Sequence, residues 1–260
     1  EEKHKLRSDG AADYHSFVKP FHDMAFTEHK VPSPKDPVEC MITGDRFPHS
    51  GRIEGSVAGF IDINRAHQAV KYLTEVRDRS KPFYLHVNMG SPHPAYRVQE
   101  PFFSMYDRAK MTAWPHELPK NAPLPLRMMR ELRTGINVSD RELREIQAVY
   151  YGMISRVDRD LGIVLDCLER EGLLDDSIVL FTTDHGDFAG QYGLEEKWDT
   201  AMEDCIMRSP LILWCGRSAG EDLLQSGPVT SLTEHVDIAP TILDLLGIKP
   251  DWGIHGESLL

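Results

Sequence analysis

The spacing of hydrophobic residues along the chain predicts three helices. Over 64–79 and over 139–171, apolar residues recur three or four positions apart with polar residues between them, which is typical of a helix with one buried face. Ser139 and Glu142 have the spacing of a capping box, which is expected to fix the start of the longer helix. A shorter helix is predicted over 238–246. The buried stripe predicted for the long helix comprises Ile146, Val149, Tyr150, Met153, Ile154, Val157, Leu161, Val164, Leu165 and Leu168.

Runs rich in apolar, aromatic and β-branched residues predict strands over 83–89, 177–183 and 210–214. A continuous apolar run such as 177–183 is typical of a central strand that is buried on both faces of a sheet. Strands and helices therefore alternate, which predicts an α/β fold with a layered sheet flanked by helices on both faces. Residues 1–60 and 107–138 are proline-rich and irregular, and we expect loops there.

Charge and cysteine usage narrow the possible partners. The chain has 29 Lys and Arg against 41 Asp and Glu, so its net charge of −12 repels nucleic acid and anionic membranes, and neither is an expected partner. No stretch approaches the roughly 18 uninterrupted apolar residues of a membrane span. An anionic substrate would need local cations or a metal ion. The cysteines contain no C-x-x-C pair, so a structural zinc site is not expected. We interpret all four as reduced or buried thiols: Cys40, Cys167, Cys205 and Cys215.

Polar residues of catalytic type follow the predicted strand over 177–183. In open α/β sheets, ligands bind beyond the carboxyl ends of strands. Asp184 and His185 stand side by side there, and Gly186 allows the backbone to bend. A carboxylate and an imidazole so placed can share one cation. The alternative is that Asp184 caps a helix.

A second candidate, His93, lies between two prolines after the predicted strand over 83–89. The prolines fix its backbone, and a rigid His at the end of a strand suits hydrogen bonding to an anion or a leaving group. The alternative is a loop His bonded to backbone. Lys197 follows two Glu, a setting typical of a solvated surface charge, although its ammonium also suits a tetrahedral anion.

Short motifs in order along 60–258 together resemble the sulfatase family within the alkaline-phosphatase superfamily. Each motif is weak by itself, and the ordered set is specific. The long helix reads Y-x-x-x-I-x-x-x-D-x-x-x-G from Tyr150 to Gly162. The others are Lys81-Pro82-Phe83 and Pro92-His93-Pro94 with the strand between them, Thr183-Asp184-His185-Gly186-Asp187, Gly190, Gly193-Leu194, Lys197, Arg208-Ser209-Pro210-Leu211-Ile212 and the segment from Val236 to Leu243.

The resemblance implies an alkaline-phosphatase-like fold and metal-dependent hydrolysis of a sulfate ester, of a small molecule or a carbohydrate. It implies that Asp184 and His185 are ligands of a divalent cation, usually Ca²⁺. It implies that Lys197 and His93 contact the sulfate oxygens and that His93 assists the departing alcohol. Such groups would stabilise the charge that develops in the transition state. A periplasmic or secreted location agrees with the resemblance.

The chain also departs from the family pattern. The nucleophile motif C/S-x-P/A-x-R is absent: Cys40 precedes MITG, Cys167 LERE, Cys205 IMRS and Cys215 GRSA. The paired N-terminal aspartates and the C-terminal subdomain have no counterpart either. We therefore expect 1–260 to be a partial sulfatase catalytic domain, cut at both ends and inactive in isolation.

Two alternatives stay open at this point. Phosphate and phosphonate ester hydrolases of the same superfamily share the D-H-G loop, and the nucleophile motif that would separate them from sulfatases is not in view. A non-catalytic relative on this fold would bind anionic glycans through His93 and Lys197 without cleaving them.

Overall fold

The computed structural model describes residues 51–52, 61–131, 139–198, 201–220, 224 and 227–260. The chain divides into two compact units. Unit 1 comprises Glu1–Val164 with Phe188–Thr200, and unit 2 comprises Leu165–Asp187 with Ala201–Leu260. Cys40, nearly all of the predicted loop over 1–60 and part of the predicted loop over 107–138 lie outside the described residues.

Helices and short strands alternate along the described residues, which makes the protein mixed α/β. The helices are α1 (Ile61–Lys71), α2 (Leu124–Met129), α3 (Asp140–Arg170), α4 (Asp204–Met207), α5 (Arg217–Gly220) and α6 (Ile238–Leu245). The strands are β1 (Gly51–Arg52), β2 (Arg97–Val98), β3 (Ile178–Thr182) and β4 (Leu211–Cys215). None of these helices combines the length and the apolar character that crossing a membrane requires.

The first predicted helix, over 64–79, begins at Ile61 and ends at Val76, so each end lies three residues before the predicted position. Helix α1 continues directly into a π-helical turn over Tyr72–Val76, and Arg77 is extended. Ala66 and Leu73 are fully buried on the predicted apolar face. The periodic spacing therefore identified the buried face over α1. Val76, predicted to lie on that face, is 62% exposed at the end of the π-helical turn, and the ends of the helix also differ from the prediction.

The capping box predicted for α3 is present. The Ser139 backbone N–H donates to Glu142 Oε2 at 2.8 Å, and the Glu142 N–H donates to Ser139 Oγ at 3.3 Å. At the other end, Gly172 adopts a φ of +67°, and the Leu173 N–H reaches back to the Leu168 carbonyl at 2.8 Å. This is a Schellman motif, in which only glycine adopts the left-handed backbone without strain.

The predicted stripe of α3 is buried along its centre and exposed at its edge. Ile146, Val149 and Met153 enter the core of unit 1. Ile154 and Leu165 were predicted to be buried and are each 41% exposed. Each helical residue turns by about 100°, so these two side chains lie at the edge of the buried face. The other core members are Tyr96, Val98, Phe102, Leu143 and Ala189.

The predicted strand over 83–89 has the exposure pattern of a strand but no assigned partner among the described residues. Its residues alternate between half-buried and exposed, with Phe83, Leu85, Val87 and Met89 on the inner side. A strand is defined by its hydrogen bonds to a neighbouring strand, and the spacing of apolar residues does not identify that neighbour. The parallel pair in unit 1 is β1 with β2.

In unit 2, β3 and β4 form an antiparallel pair whose register runs from Ile178 opposite Cys215 to Thr182 opposite Leu211. Both strands agree with the predicted runs to within one residue at either end. The predicted burial of the first run on both faces is wrong, because Ile178 is 36% exposed. On β4, Ile212 and Trp214 are exposed at alternate positions, which gives the pair one exposed face. Helix α6 confirms the third predicted helix and ends before Gly247, whose φ is +65°.

Two glycines of α3 provide a test of how this helix packs. A Cβ on Gly152 would lie 2.4 Å from the Phe102 carbonyl oxygen, whereas a Cβ on Gly162 would meet nothing within 4 Å. We expect Gly152→Ala to lower the free energy of unfolding by about 1–3 kcal/mol through overpacking. We expect Gly162→Ala to raise it by up to about 1 kcal/mol through helix propensity.

Urea denaturation of both variants measures this difference, and Gly162→Ala is the matched control. Changes of the same sign in the two variants would contradict the close approach of α3 to Phe102.

Candidate functional site

The structure brings His93 and Lys197 together in unit 1. Lys197 Nζ lies 2.5 Å from His93 Nε2, although the two residues are 104 positions apart in sequence. His93 Nδ1 lies 2.6 Å from the Pro94 carbonyl oxygen. A carbonyl oxygen only accepts, so Nδ1 carries the proton, and the lone pair on Nε2 accepts from the lysine ammonium. The His93 side chain is exposed, which leaves the pair open to a ligand.

The backbone turn that ends at His93 is fixed by a buried carboxylate. The His93 N–H donates to the Gly90 carbonyl at 3.1 Å and closes the turn. The Gly90 N–H donates to Asp62 Oδ1 at 2.7 Å, and the Ser91 N–H donates to Asp62 Oδ2 at 3.0 Å. Arg156 Nη2 lies 3.1 Å from the same Oδ2. Helix α1 and helix α3 therefore meet at this turn through an ion pair.

Lys197 lies at the end of a closed loop that begins at Phe188. The Phe188 N–H donates to the Glu196 carbonyl at 2.9 Å. The Glu196 N–H donates to the Tyr96 hydroxyl at 2.8 Å. Tyr96 is fully buried and comes three residues after His93, so one hydrogen bond joins the two segments next to the two candidate side chains. This bond explains why His93 and Lys197 meet.

Asp184 and His185 form a second pair, in unit 2, just after β3. His185 Nδ1 lies 2.8 Å from the Gly186 carbonyl and donates to it, so the Nε2 lone pair is available. Asp184 Oδ2 lies 3.6 Å from that Nε2. The Asp184 side chain is 86% exposed and the His185 side chain is 34% exposed. The alternative of a helix cap at Asp184 is wrong, because no helix begins there.

Hydrogen bonds hold the backbone on both sides of this pair. His235 Nε2 lies 2.6 Å from the Thr183 carbonyl and donates to it. The Gly186 N–H donates to the Ile206 carbonyl at 2.7 Å. A Cβ on Gly186 would lie 1.9 Å from the Cys205 carbonyl oxygen, so only glycine allows this close approach to α4.

The donor set of Asp184 and His185 fits part of a metal site. Two ligands that bind one cation at about 2.0–2.6 Å each lie about 3–4 Å apart, and the observed separation agrees with this. The Gly186 carbonyl fixes the tautomer of His185, as the second partner of a metal-binding histidine usually does. Within the described ranges, no group of three or more His, Cys, Asp or Glu residues completes the site. Convergence of this pair with His93 and Lys197 stays a prediction.

Asp62 and Arg156 were missed as site residues by the sequence analysis. Asp62 resembles an ordinary acidic residue in the first turn of a helix. The sequence does indicate that Arg156 is unusual, because it lies between Met153 and Val157 on the apolar face of α3. A charge in that position requires a buried partner. That partner is 94 residues away, so the sequence does not identify it.

The sequence matches the family described as Sulfatase over residues 19–248. It is 30% identical over 204 residues to the multifunctional alkaline phosphatase superfamily protein PehA of Trinickia caryophylli, covering 72% of this chain and 39% of the relative. It is 28% identical over 216 residues to arylsulfatase K of Bos taurus, covering 77% and 38%. For choline-sulfatase of Rhizobium meliloti the values are 28% over 195 residues, 71% and 36%. The chain thus spans less than half the length of these curated relatives.

Solved structures give the fold. The phosphonate monoester hydrolase of Agrobacterium radiobacter superposes with a TM-score of 0.68 at 23% identity, covering 94% of this chain and 49% of that one. The phosphonate monoester hydrolase SpPMH of Silicibacter pomeroyi gives a TM-score of 0.63 at 23% identity, covering 80% and 42%. The fold is therefore alkaline-phosphatase-like α/β, as predicted, and likeness at this identity says nothing further about activity.

The thiol of Cys205, next to the loop of Asp184, gives a testable prediction. Burial, followed by the charge of Glu203, raises the pKa of Cys205 to about 12. At pH 8 only about one thiol in ten thousand is then ionised, against about a quarter for an ordinary thiol of pKa about 8.5. We expect iodoacetamide to modify Cys205 about 100-fold or more slowly in the native protein than in urea, as followed by mass spectrometry.

The native rate should rise with pH up to about 12, because the thiolate is the reacting form. Equal rates in the native and unfolded protein at pH 8 would contradict the raised pKa of this half-buried thiol.

Proposed function

Because this chain belongs to the sulfatase family, we propose that the whole protein is a metal-dependent sulfuric ester hydrolase. The observation that supports this most directly is the contact of Lys197 Nζ with His93 Nε2 at 2.5 Å. It joins, at an exposed position, an ammonium and an imidazole that suit a tetrahedral anion and its leaving group. Names of relatives such as arylsulfatase K and choline-sulfatase agree with sulfate ester hydrolysis.

In this proposal Lys197 binds the sulfuryl oxygens. Its ammonium donates to His93 in the free protein and would donate to a non-bridging oxygen of the ester once substrate enters. A sulfate ester is anionic, so an ammonium that donates to its oxygens stabilises both the bound ester and the charge that develops on those oxygens. The compact charge of lysine suits this role because the anion is small.

His93 passes a proton to the departing alcohol. An alkoxide is a poor leaving group, so the bridging oxygen needs a proton as the S–O bond breaks. The Nδ1–H stays on the Pro94 carbonyl, so Nε2 is the atom that faces the substrate. Once Lys197 turns to the ester, the Nε2 lone pair takes up a proton from solvent and passes it to the bridging oxygen as the S–O bond breaks. The backbone bond to Pro94 thereby keeps the ring in one orientation during the reaction.

Sulfatases use a divalent metal ion, and we propose that Asp184 and His185 are two of its ligands here, with Ca²⁺ as the ion. When bound, the cation supplies Lewis-acid stabilisation of the sulfuryl oxygens. The fixed tautomer of His185 and the exposed carboxylate of Asp184 support this assignment. Calcium prefers oxygen ligands and imidazole suits Zn²⁺ or Mn²⁺, so the ion is tested directly below.

The first test measures hydrolysis of aryl sulfates and aryl phosphonate monoesters by the full-length protein. We expect faster turnover of the sulfate, and Lys197→Ala to lower kcat/KM by about 100- to 1,000-fold, as for loss of one donor to a developing charge. Lys81→Ala is the control, since it removes an exposed ammonium of unit 1 that pairs with nearby Asp78 at 3.4 Å. Preference for the phosphonate would favour the phosphonate hydrolase alternative, and binding of sulfate without turnover would favour the non-catalytic alternative.

The second test concerns the metal ligands. After removal of bound ions with a chelator, calorimetric titration of the full-length protein with Ca²⁺, Mn²⁺ and Zn²⁺ identifies the preferred ion. We expect Asp184→Asn and His185→Gln each to weaken binding about 10- to 100-fold, because each removes one ligand of a small set. Asp251→Asn, an exposed carboxylate of the same unit, is the control. Unchanged affinity in both ligand variants would refute the assignment.

A further inference from the structure

The carboxylate of Asp62 is buried to 3% exposure and bonds to a segment of chain that is distant in sequence. Its two oxygens accept from two successive backbone amides, Gly90 at 2.7 Å and Ser91 at 3.0 Å. One carboxylate that accepts from adjacent N–H groups fixes both peptide planes. An acid that served only the dipole of helix α1 would not need these bonds, since its first-turn position already provides that interaction.

Arg156 supports Asp62 from the opposite side. It is 3% exposed, and its Nη2 lies 3.1 Å from Asp62 Oδ2. Its guanidinium also donates to Ser91 Oγ and, at 3.4 Å, to Gln99 Oε1. Burial lowers the pKa of Arg156, and the charge of Asp62 acts against this shift. The pair therefore holds the turn through its backbone and through the side chain of Ser91.

The turn ends at His93. The Gly90 N–H donates to Asp62, and the Gly90 carbonyl accepts from the His93 N–H at 3.1 Å. The His93 backbone is thus two hydrogen bonds away from Asp62. If the peptide of Gly90 rotates, the ring of His93 moves relative to Lys197 Nζ, which now lies 2.5 Å away.

We infer that Asp62 and Arg156 are positioning residues that hold the His93 ring with Nε2 facing Lys197 and the substrate. This inference rests on the proposed function for the identity of the reaction, but the geometry of His93 is measurable without activity. Neither residue touches the substrate in this scheme. They act through the Gly90 and Ser91 amides, and no sulfatase motif of the sequence analysis specifies either residue.

Asp62→Asn is the decisive substitution. Asparagine has nearly the same shape, but one of its two groups donates, so it would face a backbone N–H with another donor. It also removes the larger of the two carboxylate charges, those of Asp62 and Asp160, that act on Arg156. The expected result is a turn that is no longer held in one orientation, even where the protein stays folded.

The control is Glu145→Gln, because Glu145, on helix α3, also forms a buried pair with an arginine. Its side chain is 5% exposed, and it accepts from Arg108 Nε and Nη2 at 3.0 Å each. That pair joins α3 to the segment around Arg108, and its described hydrogen bonds do not involve the turn at Gly90. Loss of stability is expected in both variants, and loss of His93 geometry only in Asp62→Asn.

The first readout is the tautomer of His93, from long-range ¹H–¹⁵N spectra of the labelled protein at pH 8. The signal is assigned by its absence in His93→Gln. Wild type should carry the proton on Nδ1. In Asp62→Asn the ratio of Nδ1–H to Nε2–H should fall about fivefold, which corresponds to the net strength of one hydrogen bond. Glu145→Gln should keep the wild-type ratio.

The second readout is the leaving-group dependence of sulfate ester hydrolysis. A displaced proton donor should lower kcat about 10- to 100-fold for alkyl sulfates and less for aryl sulfates, whose alcohols leave without protonation. An equal loss for both ester classes, with the tautomer unchanged, would mean a structural role only and would overturn the proposal.

The remaining outcomes are also decisive. If Asp62→Asn does not fold, Ser91→Ala removes only the hydroxyl that Arg156 contacts, and it should shift the tautomer ratio in the same direction; a wild-type ratio in that variant overturns the proposal. If wild type has no sulfatase activity but Asp62→Asn shifts the tautomer, the proposed function fails and the positioning of His93 by Asp62 stands.

Discussion

The buried ion pair between Asp62 and Arg156 is the interaction on which the rest of unit 1 depends. Burial of each charge costs several kcal/mol, and a pair offsets this only when its other hydrogen-bonding groups are also satisfied. Here the carboxylate also accepts from two backbone amides of the turn at Gly90 and lies 3.5 Å from Arg65 Nη1. The energetic need of the ion pair and the geometric need of the turn are therefore met by one arrangement. This arrangement joins α1, α3 and the turn that ends at His93.

Close backbone approach at glycine is the second constraint. At Gly152 the helix α3 reaches the Phe102 carbonyl, and at Gly186 the loop after β3 reaches the Cys205 carbonyl. In each case a single added methyl group would meet main-chain atoms, which cannot rotate away as a side chain does. The positions of the polar groups in the proposed sites thus depend on residues that have no functional group of their own.

Local features were predictable from the sequence, and long-range pairing was not. The capping box at Ser139 involves residues three apart, so its geometry follows from the sequence pattern. Asp184 and His185 are adjacent, so their proximity needed no fold. The contact of His93 with Lys197 spans 104 residues, and spacing alone favoured a solvated lysine; the resemblance to sulfatases suggested otherwise. The strand predicted over 83–89 shows the same limit, because alternation reveals a face but does not identify a neighbour.

The net charge of −12 does not prevent the proposed site from binding an anion. At physiological ionic strength, charges beyond about 8 Å are largely screened, so most of the 41 acidic residues contribute little at His93 and Lys197. An ammonium that donates directly to a sulfuryl oxygen is screened far less, because no salt solution lies between them. Local charge placement, held by the turn at Gly90 and the loop from Phe188, therefore outweighs the charge of the whole chain. The proposed specificity for a small anion then depends on how rigidly these two segments are held.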